Sequence, residues 1–315
     1  MLKRITERFC KRFTIMGILV IGSLAFDDIE TDHGCVTDAP GGSALYFAVA
    51  ASLYAPVAVL GVVGDDFPAE ELSFIRERGI DTDHLDITPG GKTFRWGGRY
   101  ETDMNRRTTT KLEQNVFQDF APRLDNELSR TEYVFLGNID PDLQLDVLDQ
   151  LKGAKFIGAD TIECYIVDKP DRVKEVLARI DVMFLNDDEA RLITGEHNII
   201  TASRDLLKLG PRCAVIKKGE HGSILAMEDG LFIVPAYPIN TVADPTGAGD
   251  SFAGAAFGYL AQEDDSSPPT MKRAVVHGGI AASFTVEDFG LKRLKQITAH
   301  DIEERLELFQ AITLF

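Results

Sequence analysis

Short runs rich in valine and isoleucine alternate along this chain with stretches of helical periodicity, and that alternation restricts the fold more than any other feature. The runs are Ile18–Gly22, Val57–Val62, Tyr133–Leu136, Lys155–Ile157, Val182–Leu185, Cys213–Lys217 and Ser223–Met227. Such near-continuous apolar runs mark strands buried on both faces, as in a parallel sheet covered by helices. Helices are predicted at Ala44–Leu53, Ala69–Arg78, Leu143–Leu151, Asp187–Thr194, Thr201–Leu209, Ala248–Ala261, Met271–Val286 and Ala299–Leu308. The expected fold is α/β, a three-layer α/β/α sandwich around a mostly parallel central sheet, and 315 residues suffice to bury its core.

Two segments depart from the alternation. Residues 30–38 and 83–114 are polar and threonine-rich, and they read as hairpin strands. The first fifteen residues differ again, with Lys3, Arg4, Arg8, Lys11 and Arg12 against Glu7. They read as an extension preceding a domain of residues 16–315, either a disordered tail or upstream start, or a basic targeting arm. The apolar run that follows is too short to span a bilayer, so no membrane association is expected. A net charge of −17 argues against nucleic acid as a partner. Cys10, Cys35, Cys164 and Cys213 are widely spaced, which suggests neither zinc nor a disulfide framework and points to the cytoplasm.

The chemistry concentrates in Asp244-Pro245-Thr246-Gly247-Ala248-Gly249-Asp250-Ser251, which runs directly into a predicted helix. Small residues allow close backbone approach, and the unpaired N–H groups of a helix start favour an anion. Asp250 beside that cradle is poorly suited to hold a phosphate but well suited to take a proton from an attacking hydroxyl. Anion cradle plus base is the minimal equipment for phosphoryl transfer to an alcohol. A turn that merely caps a core helix is the alternative, although it does not require Asp250.

The segment Asp244–Asp250 resembles the D-x-T-G-A-G-D signature of the ribokinase-like, or PfkB, family of carbohydrate and nucleoside kinases, and the likeness extends from Gly17 to about Phe309. It implies ATP and Mg2+ as cofactors, with Asp250 catalytic and Gly247, Ala248 and Gly249 forming the anion hole. Asp27 corresponds to the carboxylate that holds substrate hydroxyls, although a solvated loop aspartate beside Asp28 is the competing reading. Gly41 and Gly42 match the first family signature, but Ser43 and Tyr46 stand where ribokinases carry Lys and Asn, so plain ribose is a doubtful acceptor. Asn186 and Glu189 match the N-x-x-E motif of the magnesium–phosphate network, and they equally resemble a helix capping box. Lys217, Gly219 and Gly222 match the nucleotide-proximal loop, and Ser283 falls in the helix at the adenine pocket. Asp244 and Thr246 resemble a monovalent-cation site, which makes K+ a further candidate cofactor. By the resemblance the polar segments 30–38 and 83–114 are pieces of a small β-sheet that closes over the substrate as a lid, and a homodimer through that lid is implied as well.

Between Gly91 and Leu112 the candidate lid carries Lys92, Arg95, Arg99, Arg106, Arg107 and Lys111 against Glu101 and Asp103, with Phe94, Trp96 and Tyr100 among them. Arg95 and its neighbours fit an anionic or flat acceptor, or an acidic face of a second subunit. No G-x-x-x-x-G-K-[ST] occurs, and no G-x-G-x-x-G follows the first strand. The leading expectation is an ATP-dependent kinase of a sugar-like alcohol. A nucleoside kinase and a non-catalytic ligand sensor on the same fold stand behind it.

Overall fold

The computed structural model describes residues 17–314, so the basic extension of residues 1–15 and Met16 lie outside the described residues. The first half of the chain contributes β1 (Ile18–Ile21), β2 (Ala25–Thr31), β3 (Gly34–Gly41), α1 (Ser43–Ala51), β4 (Val57–Gly64), α2 (Ala69–Glu77), β5 (Ile80–Asp81), β6 (Leu85–Thr88), β7 (Phe94–Tyr100), β8 (Arg107–Glu113), β9 (Tyr133–Leu136) and α3 (Pro141–Gln150). The second half adds β10 (Phe156–Asp160), α4 (Glu163–Asp168), α5 (Pro170–Leu177), β11 (Val182–Asn186), α6 (Asp187–Thr194), α7 (Ile199–Lys208), β12 (Cys213–Lys217), β13 (Ser223–Met227), β14 (Gly230–Val234), α8 (Ala248–Glu263), α9 (Pro268–Thr285), α10 (Lys292–Gln296) and α11 (Ala299–Thr313).

The large sheet runs β14-β13-β12-β11-β10-β9-β1-β4-β5, with β6 also paired to β4, and only β13 and β14 run antiparallel to their neighbours. Each central strand is buried on both faces, as its composition predicts. On one face Phe135 stacks on Phe47 of α1 at 4.2 Å between ring centroids and meets Phe257 of α8 at 5.5 Å. On the other face Leu19, Val134, Leu136 and Leu185 pack with Leu145, Val173 and Leu206 from α3, α5 and α7. Burial of side chains of this size stabilises by about 1.5–3 kcal/mol each, so the helical layers are held by apolar packing. Among the described residues no helix is long and apolar enough to cross a membrane.

The small sheet has the order β3-β2-β7-β8. Its composition corrects the sequence expectation at both ends. It begins at Ala25, because β2 leaves β1 after only three residues, and it excludes 85–88, which pairs in parallel with 61–64 of β4. Asp66 anchors this junction by accepting hydrogen bonds from the Thr93 N–H at 2.8 Å and the Thr93 hydroxyl at 2.6 Å.

Candidate active site

Parallel strands deliver their carboxyl ends to one edge of a sheet, where open α/β folds bind ligands. Here β10, β11 and β12 end there at Asp160, Asn186 and Lys217, and β1 leads into the loop before Asp27. Facing them is the first turn of α8. Gly247 adopts φ 73°, and no side chain caps the helix. A Cβ at Gly247 would collide with the buried Tyr46 ring, so this turn tolerates no side chain. Asp244 braces the turn from beneath, accepting from the Thr246 N–H at 2.8 Å and the Gly290 N–H at 2.9 Å. The Thr246 hydroxyl donates to the Tyr100 hydroxyl at 3.0 Å, which ties the turn to the small sheet.

Asp250 is the third residue of the helix, after Ala248 and Gly249. Its carboxyl is pushed up to about 7, chiefly by burial and then by the negative charge of Asp160, while Lys217 and Arg107 pull it down. Glu189 is likewise pushed up to about 7 by burial and by Asp160. The capping box is formed: the Asn186 N–H donates to Glu189 at 2.7 Å, and the Glu189 N–H donates to the Asn186 side chain at 2.8 Å. The two sequence readings of this pair are therefore compatible, since a capping box presents the same carboxylate to the cleft edge.

At the other end of the turn lies Asp27, covered by Gly41 so closely that a Cβ there would overlap its carboxylate. The Gly42 backbone donates to it, yet burial and the fields of Asp244 and Asp250 push it up to about 8. Asp28 is engaged elsewhere, bonded to the Asp38 N–H at 2.8 Å and to Lys111 at 3.1 Å. Because the Asp27 carboxyl is raised in the folded protein, the unfolded chain releases this proton first as pH rises. Folding stability from this group therefore falls between about pH 4 and pH 8. Asp27→Asn is expected to leave the melting temperature near pH 4.5 little changed and to raise it at pH 9. Thermal unfolding of both proteins across that range checks this, and a difference independent of pH would contradict it.

Other residues named from sequence fall differently. Arg95 pairs with Asp38, sits 3.9 Å from Asp66 and stacks over Phe26 at 4.7 Å, so its charge is already balanced within the small sheet. Ser283 donates to the Ile280 carbonyl at 2.6 Å and accepts from Arg305 at 3.0 Å, so its hydroxyl joins α9 to α11 rather than facing a nucleotide. Ser43 is consumed similarly, bonded to Ser23 beneath the first strand loop. Lys217 reaches Asp160 at 2.7 Å. Gly219 and Gly222, with φ 53° and 79°, shape the turn after β12, and Gly219 lies against Asn105 from the β7–β8 hairpin. Asp160 was missed from sequence, and Tyr100 and Arg107 were named only among the lid groups, because nothing local marks residues whose importance is their distance from another segment.

The comparisons with known proteins come down on the same chemistry. The family model described as pfkB family carbohydrate kinase matches residues 17–296. The chain belongs to that family. A cytidine kinase of Thermococcus kodakarensis is 31% identical over 254 residues, covering 78% of this chain and 88% of that one. Among solved structures, Methanocaldococcus jannaschii nucleoside kinase shares the fold with a TM-score of 0.76 at 22% identity, over 93% of this chain and 99% of that one. A putative ribokinase II from E. coli, in complex with ATP and Mg2+, gives 0.77 at 19% identity over the same shares. This pfkB-family chain is accordingly a phosphotransferase with an alcohol as acceptor, built on the ribokinase fold.

Proposed function

We propose that this kinase transfers the γ-phosphoryl group of ATP to a hydroxyl of an uncharged sugar-like molecule, with Asp250 as the base. The observation that carries the reading is a half-buried carboxyl, raised to about 7, within one helical turn of uncapped amides. Asp250 takes the hydroxyl proton as the oxygen bonds to the γ-phosphorus, and the bond from that phosphorus to the bridging oxygen breaks to release ADP. The N–H groups of Gly247, Ala248 and Gly249 meet the charge developing on the phosphoryl oxygens, an electrostatic contribution worth several kcal/mol in comparable sites. Asp27, whose carboxyl is raised to about 8, would hold an acceptor hydroxyl, with Gly41, Gly42 and Tyr46 forming the floor beside it. The hairpin bearing Tyr100 closes the cleft against water, which suppresses simple hydrolysis of ATP.

The residues suit a Mg2+ ion that arrives with the nucleotide. Among the described residues no cluster of three acidic, His or Cys ligands forms a metal cage, and Mg2+ favours phosphates and water over such cages. Glu189 and Asn186 would hold it through water, and the ion supplies neutralisation of phosphate charge. K+ would suit Asp244, a fully buried carboxylate whose oxygens accept from the Thr246 and Gly290 N–H groups. In this reading the protein works in the cytoplasm, where Cys35, Cys164 and Cys213 stay as free thiols. The edges β3 and β8 of the small sheet are open to pairing with a second copy.

An uncharged acceptor is favoured because the small sheet balances three of the four cations on β7 and β8. Arg95, Arg99 and Lys111 are paired with Asp38, Glu30 and Asp28. Arg107 forms no ion pair among the described residues, but its field reaches Asp250 and Glu189, on the phosphoryl side. A nucleoside is the second reading, favoured by the 31% identity to a cytidine kinase over most of both chains. The test is ADP formation with ATP and Mg2+ across pentoses, hexoses, their phosphates and nucleosides. Turnover of a free sugar or nucleoside is expected. A sugar phosphate as best acceptor would overturn the uncharged acceptor, and no turnover with any of them would overturn the kinase reading for these classes.

A further inference from the structure

Asp160 is a buried carboxylate that the phosphoryl-transfer chemistry described above does not use. It ends β10, and β11 lies between it and Lys217 at the end of β12. The lysine crosses the end of β11 to reach it at 2.7 Å, and both side chains are largely withdrawn from solvent, at 6% and 17% exposure. The carboxylate is preset by its own strand. Its other oxygen accepts from the Thr161 N–H at 2.7 Å, and its backbone carbonyl accepts from the Gln144 side chain at 2.9 Å. The lysine end of the pair lies at the anion turn, because a Cβ at Gly249 would come within 3.0 Å of the ammonium nitrogen.

We propose that Asp160 is a positioning residue that holds the Lys217 ammonium against the Gly247–Gly249 turn, where this cation meets the phosphoryl group in flight. The proposal rests on the kinase reading above. A lysine has four rotatable side-chain bonds, and ordering it costs rotamer entropy. A single carboxylate at the far side of the strand end removes that freedom and compensates a charge that burial alone would disfavour. The ammonium has three donors, of which Asp160 takes one, so donors remain for phosphate oxygens. A buried ion pair is weak evidence of a stabilising role, since apolar replacements of equal volume often fold as well. Its position at the edge where anions bind is therefore the informative feature. The other charges facing the pair are Glu189 from α6, Asp250 from α8 and Arg107 from β8.

The test is a double-mutant cycle on the full chain with Lys217→Gln, Asp160→Asn and the two combined. It reads kcat, KM for ATP and acceptor, thermal unfolding, and affinity for a non-hydrolysable ATP analogue. Lys217→Gln is expected to lower kcat by about a hundredfold, because it removes the cation and leaves a bare carboxylate beside the phosphates. Asp160→Asn lowers kcat by about tenfold with acceptor KM unchanged, since the lysine remains but wanders. The combined variant should exceed Lys217→Gln in kcat, because the second change removes the repelling carboxylate. Losses that multiply, losses that follow the unfolding temperature, or an effect confined to acceptor KM would each overturn the proposal. Analogue affinity separates it from the kinase reading. With no acceptor turned over, Lys217→Gln must still weaken the analogue and the combined variant must recover part of that loss.

Discussion

Asp250→Asn is expected to lower kcat by about a thousandfold, the scale of a lost general base, while nucleotide affinity and fold are retained. Asparagine matches the shape of the carboxyl but cannot accept the proton. It also removes a half-buried group whose ionisation burial opposes, so thermal unfolding at neutral pH should be no earlier than in the parent. The parent enzyme carries a matching signature in pH. Its base must be ionised to act, and its carboxyl is raised to about 7, so kcat/KM for the acceptor falls as pH drops below about 7. Turnover within tenfold of the parent in Asp250→Asn would end the assignment of Asp250 as the base.

Gly247→Ala is expected to be nearly as damaging, by a different route. The residue sits at φ 73°, which alanine adopts at a cost of about 1–2 kcal/mol. The added methyl meets the ring of Tyr46, a fully buried side chain that cannot withdraw into solvent. Either the ring or the turn must move, and movement of the turn spoils the aim of its amides. A loss of at least about a hundredfold in kcat follows, since a misplacement near 1 Å costs that much in aligned sites. Tyr46→Ala in the same chain removes the clash but keeps the backbone strain, so it should restore part of the activity. An alanine variant with parental kcat would show that the turn does not form the anion hole.

The central strands were legible because burial on both faces writes an unmistakable apolar run. Where a strand breaks that pattern, legibility fails. The run at Lys155–Ile157 stops short because Gly158 and Asp160 are poor strand formers, yet the strand continues to Asp160. Gly158 is required there by close packing against Phe257, a contact 99 residues away in sequence. Ending the strand early hid Asp160 from view. The short helix at Pro170–Leu177 escaped because Pro170 reads as a break, although it serves here as a first-turn residue. The strand Gly230–Val234 escaped because it is a partly exposed edge.

The small sheet shows a second kind of limit. Its polar, threonine-rich strands were recognisable as strands, but the sheet each one joins was not. Pairing of 85–88 with β4, and of β2 with β7, is settled by partners distant in sequence. The same holds for Arg95, whose basic character suggested an anionic substrate until Asp38 stood beside it.

The turn proposed as the anion site and the carboxyl proposed as its base could be picked out from the chain alone, because Gly247 to Asp250 are consecutive and a helix start orients their amides whatever surrounds it. Family and reaction follow from that short segment. The tertiary structure supplies what separation in sequence conceals: Asp160 behind Lys217, Tyr46 beneath Gly247, Tyr100 latched to Thr246. The state of charge of Asp27, Glu189 and Asp250 belongs with these. Burial and neighbouring charges set it, and both depend on distances that only the packed sheet and helices create.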